Sequence, residues 1–246
     1  LTAAALGLRV GVVTSYGGDL VVPEHQGVQI AAIQAETTTT FKNIYTPSGR
    51  IQYVHNHAMQ LELSAVPEIW RNAPIVHLGP IMEEVDPKLA RAFPNSLMGV
   101  TPQGWMRTAN GDGLVHYTDW LEARYVLESA QAVVLSIEDV QGDEKIIEEW
   151  IPSIRVLVVT EGSAGARLYW NGDLRTFKVP QMDEIDPVGA GDIFAASFFT
   201  RLHQTRDPWE AARFATILAS TSVTRRGLHG IPTEEEIKAS LVTILP

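Results

Sequence analysis

The segment Asp186-Pro187-Val188-Gly189-Ala190-Gly191-Asp192 runs directly into Ile193-Phe194-Ala195-Ala196-Ser197-Phe198-Phe199. Small residues ahead of an apolar helix leave successive backbone N–H groups uncovered at the positive end of the helix dipole, which makes a cradle for anionic oxygens. Gly189 and Gly191 let a phosphate approach the backbone closely. Asp192 falls in the first helical turn, where the dipole favours the ionised form, and an ordinary carboxylate pKa of roughly 3.9 already keeps it charged at neutral pH. A carboxylate beside an anion cradle suits the removal of a proton from an attacking hydroxyl. A bare G-x-G-D would also serve as a glycine turn with an Asp stabilising the helix start.

Such a helix needs a frame to position it. Short apolar runs at 75–78, 96–100, 132–136 and 155–160 alternate with helical stretches at 119–129, 143–150, 190–203 and 207–224. This alternation predicts an α/β fold with a mainly parallel sheet and helices on both faces. Asp207-Pro208 supplies an N-cap followed by proline at the first helical position, and Thr233-Glu234-Glu235-Glu236 is a capping box. Upstream, 9–14, 28–34, 37–45 and 50–54 carry β propensity and read as an antiparallel section, with a small β flap within about 28–54. The opening Leu1-Thr2-Ala3-Ala4-Ala5-Leu6-Gly7 reads as the end of a helix closed by Gly7, so a preceding strand is expected to be missing. Residues 1–246 are expected to form one domain, since no repeat or linker divides them.

Composition narrows the ligands. The 246 residues carry 19 Lys and Arg against 29 Asp and Glu, a formal net charge of −10, and no basic stretch, which argues against nucleic acid. A phosphate compound would have to be held by backbone N–H groups, helix N-termini and a metal ion. There is no cysteine, hence no disulfide or thiolate metal site. No run approaches the roughly 18 apolar residues of a membrane span, and a cytoplasmic location is expected. G-x-x-x-x-G-K-[ST] and G-x-S-x-G are absent, and no G-x-G-x-x-G follows the first strand. His55 and His57 share one face of a strand but lack a nearby acidic or cysteine partner for a metal.

Asp186-Pro187-Val188-Gly189-Ala190-Gly191-Asp192 resembles the D-T-x-G-A-G-D signature of the ribokinase-like (PfkB) carbohydrate kinase family, with Pro187 in place of the usual Thr. The resemblance implies a three-layer ribokinase-like fold and ATP- and Mg2+-dependent phosphoryl transfer to a hydroxyl of a small sugar, polyol or nucleoside. It makes Gly189, Ala190 and Gly191 the anion hole for the γ-phosphoryl group and Asp192 the base. Phosphoryl transfer asks mainly for positioning and charge stabilisation, so a carboxylate suffices as base. Thr160-Glu161-Gly162-Ser163-Ala164-Gly165 looks like the family's nucleotide-binding loop, which places Thr160, Gly162 and Gly165, together with Asp186, at the nucleotide. Gly227, within 225–232, resembles part of the loop around the adenine.

Departures from the pattern are also legible. Where relatives carry N-x-x-E, this chain has Ser136-Ile137-Glu138-Asp139, so Glu138 and Asp139 are expected to organise Mg2+ through water, a solvated acidic turn being the other reading. Arg107 stands near the place of a family arginine and would meet a phosphate or lie at the surface. The 36–41 and 80–85 segments look closest to the inositol-kinase-like branch. Pro187 and the lost Asn leave a second function open: a nucleotide-binding regulatory protein that kept the fold without turnover. A homodimer is compatible with either.

Overall fold

The computed structural model describes residues 1–46 and 49–241. Helix α1 (Thr2–Ala5) is closed by Gly7 at φ +86°, and β1 (Val10–Tyr16) pairs with β2 (Val28–Gln34). An antiparallel hairpin of β3 (Thr40–Thr46) and β4 (Gly49–Asn56) follows; Pro47 and Ser48 of its expected turn lie outside the described residues. Then come β5 (Ile75–Leu78), β6 (Leu97–Val100), the small hairpin β7 (Arg107–Ala109) and β8 (Val115–Tyr117), α2 (Ala123–Leu127), β9 (Ala132–Ser136) and α3 (Glu144–Trp150). The chain continues through β10 (Val156–Thr160), β11 (Ala166–Trp170), β12 (Asp173–Phe177), α4 (Ala190–Thr205), α5 (Pro208–Ser222) and α6 (Glu234–Ser240).

The main sheet has the order β12-β11-β10-β9-β6-β5, with β10, β9, β6 and β5 parallel and the β11–β12 hairpin antiparallel. Its central strands are apolar throughout because both faces are covered. Ala132, Val134, Val156 and Val158 pack with Phe194, Phe198 and Phe199 of α4, whereas Val133, Leu135, Leu157 and Val159 join the opposite core around Leu127 and Ile147. This is the period-two alternation of a strand between two helical layers. Gly99 lets α4 come down on β6: a Cβ there would lie 2.7 Å from the Phe199 ring.

Two expectations are corrected. The 9–54 section is not antiparallel throughout: β1 and β2 run parallel, because residues 17–27 carry the chain back to the start of β1, where the Val10 N–H donates to Gly27 O at 2.9 Å. Strand propensity carries no direction. The 119–129 helix shrinks to α2, since Trp120 is buried against Trp105 in a stack with ring centroids 5.2 Å apart. The caps at Asp207 and Thr233 form as expected: Asp207 Oδ1 accepts from the Trp209 N–H at 2.9 Å, and Thr233 and Glu236 close a capping box.

The direction of α4 follows from what surrounds its last turn. Leu202 and Arg206 share a cleft with Leu97, Arg155 and Val156, the residues at the amino ends of β6 and β10. The first turn of α4 therefore points to the opposite edge, where the parallel strands end in Leu78, Val100, Ser136 and Thr160. Carboxyl edges of parallel sheets are where open α/β folds gather their ligands.

Candidate active site

Gly189 is the N-cap of α4 at φ +85°, a left-handed conformation that favours glycine. Gly191 has no such backbone need, and a Cβ at either glycine meets nothing within 4 Å. Glycine in a first helical turn is less favourable than alanine, so neither packing nor conformation explains Gly191. What the missing side chain leaves is open space over the first turn. The N–H groups of Gly191 and Asp192 find no acceptor among the described residues and face that space as unpaired donors.

The two acidic residues that bracket this run are treated oppositely. Asp186 Oδ1 accepts from the Val188 N–H at 3.0 Å and Oδ2 from the Gly227 N–H at 2.9 Å. The Gly227 bond, then the Val188 bond, hold its pKa below the ordinary carboxylate value. The N–H groups of Ile185 and Asp186 both donate to Val223 O, at 2.8 and 3.0 Å, so the approach to α4 is tied to the end of α5. Asp192 makes no hydrogen bond to any described residue. Asp192 is exposed to solvent at the start of α4, yet the protein around it still desolvates the carboxylate enough to raise its pKa. Carboxylates whose environments push their pKa values apart mark a division of labour.

The remaining expected residues fall into place with different roles. Thr160 ends β10, and its hydroxyl donates to Leu135 O at 3.3 Å. Between Thr160 and β11 the chain makes a tight turn in which the Glu161 N–H donates to Gly165 O at 2.8 Å. Gly162 (φ +56°) and Gly165 (φ +104°) are both left-handed, and a Cβ on Gly165 would lie 2.0 Å from Phe177 O. Turn geometry thus accounts for both glycines. Gly227 (φ +53°) is brought to the glycine run by Asp186.

Glu138 and Asp139 part company. Ser136-Ile137-Glu138-Asp139 forms a capping box after β9: Asp139 Oδ2 accepts from the Ser136 N–H at 2.9 Å, and the Glu138 N–H donates to Ser136 Oγ at 3.2 Å. Asp139 Oδ1 accepts from Gln103 Nε2 at 2.7 Å and lies 3.9 Å from the Arg107 guanidinium. Asp139 therefore braces the loops after β6 and β9, a role for which Gln103 had given no signal in the sequence. The exposed Glu138 carboxylate has no hydrogen-bond partner among the described residues and fits a cation held through water. No cluster of three metal-ligating side chains forms among the described residues, His55 and His57 included.

Residues 125–235 match the pfkB family carbohydrate kinase profile, and this interval contains the glycine run, Asp192 and Gly227. The match covers a little under half of the chain and makes this part similar to the pfkB family. Fructokinase-2 of Zea mays is 29% identical over 126 residues, 46% of this chain and 37% of that protein, so the match spans little more than a third of the fructokinase's length. The cytidine kinase of Thermococcus kodakarensis is 24% identical over 229 residues, covering 86% of this chain and 80% of its own. A pyrophosphate-dependent kinase in the ribokinase family, solved with a pyrophosphate analog and myo-inositol, superposes with a TM-score of 0.78 at 18% identity over 98% of this chain and 88% of its own. The chain therefore has the ribokinase-like fold. No helix among the described residues is long and apolar enough to cross a membrane.

Proposed function

We propose that this protein transfers a phosphoryl group from ATP to a hydroxyl of a small sugar, polyol or nucleoside, with Asp192 as base. The observation that carries the proposal is the pairing of an unpartnered carboxylate of raised pKa with open space and free N–H groups at the start of α4. The N–H groups of Gly191 and Asp192, in the Gly189–Gly191 cradle, hold the oxygens of the transferring group and stabilise its charge, while Asp192 accepts the proton of the attacking hydroxyl. Asp186 keeps the cradle registered against the Gly227 loop, and the Thr160–Gly165 turn flanks the donor at the same edge of the sheet. Mg2+, entering with the phosphates, would neutralise their charge in a chain of net charge −10, and Glu138 is the residue suited to hold its water shell.

Pyrophosphate is a second donor to be weighed, since the structural relative described above is pyrophosphate-dependent. The test measures consumption of ATP and, separately, of pyrophosphate in the presence of Mg2+ and a panel of sugars, myo-inositol and cytidine. Turnover of one donor with at least one acceptor supports the proposal, and the preferred donor decides between the two. Binding of donor without turnover across the panel contradicts it and favours the regulatory alternative.

A further inference from the structure

We propose that the cleft at the amino edge of the main sheet is a binding site for a small phosphorylated molecule, separate from the site at the start of α4. The cleft has a volume of about 360 Å3, within the ordinary range for small-molecule sites. Val156, Leu202 and Pro208 give it a buried apolar floor, and Trp170, packed edge-on to Trp209 with centroids 5.5 Å apart, supplies a half-buried aromatic wall. Gln131 and Asn171 add polar side chains, and the exposed Arg155, just before β10, and Arg206, just after α4, stand at its rim.

Charge singles the cleft out. The chain has ten more acidic than basic residues, yet no acidic residue lines the cleft, and neither guanidinium group has an ion-pair or hydrogen-bond partner among the described residues. Arg167, Arg201, Arg213 and Arg225, by contrast, are all paired with glutamates. The carboxylate nearest in sequence, Asp207, is occupied by the cap of α5, where Oδ1 accepts from the Trp209 and Glu210 N–H groups at 2.9 and 3.3 Å. Arg206 also sits at φ +58°, a left-handed helix end where glycine is the comfortable residue. The dipole of α4 favours a cation at that end, but it does not account for Arg155, which comes to the same cleft from the other side of the sheet edge. Two guanidinium groups over an apolar floor with an aromatic wall match a phosphate attached to a planar or apolar body.

Calorimetric titration of the intact chain with phenyl phosphate, with inorganic phosphate in parallel, tests this. Wild type and Gly191→Val are expected to bind phenyl phosphate alike, and Arg155→Gln/Arg206→Gly to bind it at least about tenfold more weakly. Trp170→Leu should weaken phenyl phosphate while leaving inorganic phosphate unchanged. Absence of binding below about 10 mM, a range that ordinary weak sites reach, overturns the proposal, as does equal binding by the double variant. Loss of binding in Gly191→Val overturns it too, because the phosphate would then sit at the other end of α4. Circular dichroism checks each fold. Should the double variant melt early, Arg206→Gly alone, which relieves the left-handed backbone, carries the same comparison.

Discussion

Asp186 Oδ2 accepts the backbone N–H of Gly227 at 2.9 Å, across 41 residues of sequence. With Oδ1 on the Val188 N–H, one carboxylate fixes the glycine run relative to the loop after α5. Asp186→Ala is expected to raise the donor KM by about tenfold, as befits the loss of charge-assisted hydrogen bonds, with a smaller effect on kcat. Asp186→Asn, which keeps one acceptor oxygen, should recover part of the loss. Because these bonds depress the folded-state pKa, their stabilisation is present above the ordinary carboxylate value and disappears only as pH falls through the lower, folded value. Steady-state kinetics and acid denaturation of wild type and both variants check this; an unchanged KM in Asp186→Ala would remove the clamp from the account.

The glycines separate into those the fold needs and one it does not. Gly165→Ala forces a Cβ to 2.0 Å from Phe177 O at φ +104° and should destabilise by about 2 kcal/mol or more. Gly191→Val enters open space and should leave the fold within about 1 kcal/mol of wild type, valine being no worse a helix former than glycine, while blocking the phosphoryl oxygens and losing roughly 3 kcal/mol of transition-state stabilisation. Urea denaturation alongside kcat separates the two. Activity of Gly191→Val within about tenfold of wild type, less than roughly 1.4 kcal/mol, would reduce the glycine run to a turn.

Glu138 and Asp139 should respond differently although they are neighbours. Glu138→Ala is expected to raise the Mg2+ concentration for half-maximal rate and leave the melting temperature unchanged, because its carboxylate caps nothing. Asp139→Ala removes the Ser136 cap and the Gln103 bond, costing about 1 kcal/mol and a few degrees of Tm, roughly 2–4 °C for a domain of this size. A metal titration and a thermal melt on each single variant decide the division. A Glu138→Ala midpoint equal to wild type makes Glu138 a solvated surface acid.

The sheet and the caps were legible because their signals are local. Runs such as 132–135 and 156–159 are apolar at every position, which only a strand covered on both faces requires, and Asp207-Pro208 and Thr233-x-x-Glu236 announce their helices. The glycine run was legible as the start of α4, where Gly189 is the N-cap. Ser136-x-x-Asp139 carried the capping-box pattern but was read for its carboxylates, and its bond to Gln103 depends on how the loops after β6 and β9 meet. The bond between Asp186 and Gly227 was not legible, because nothing in a linear reading brings the two together. The direction of β2 and the raised pKa of Asp192 were hidden for the same reason. Strand propensity carries no direction, and the surroundings of a side chain are set by tertiary packing.

Desolvation of Asp192 should be visible in the pH dependence of turnover. Its folded pKa is raised, so the base form needed for proton acceptance is lost on acidification at a higher pH than for an ordinary carboxylate. The acidic limb of kcat is therefore expected above about pH 4, the ordinary range. The same shift means that the charged group opposes folding at neutral pH: a raised folded pKa contributes stability below the unfolded value and loses it as pH rises. Asp192→Asn should accordingly melt no lower than wild type at pH 7, and a clear drop in Tm would assign Asp192 to the structure of the helix start.

Turnover of Asp192→Asn, measured with donor binding on the same preparation, tests the central claim most directly. The substitution keeps the size of the side chain and removes the base. With the donor still held by the N–H groups of α4, the expected result is an unchanged donor Kd and a fall in kcat of roughly 10² to 10⁴, the contribution of a positioned general base. A variant that binds donor and still turns over within about tenfold of wild type, a difference of less than roughly 1.4 kcal/mol, contradicts the assignment of Asp192 as base.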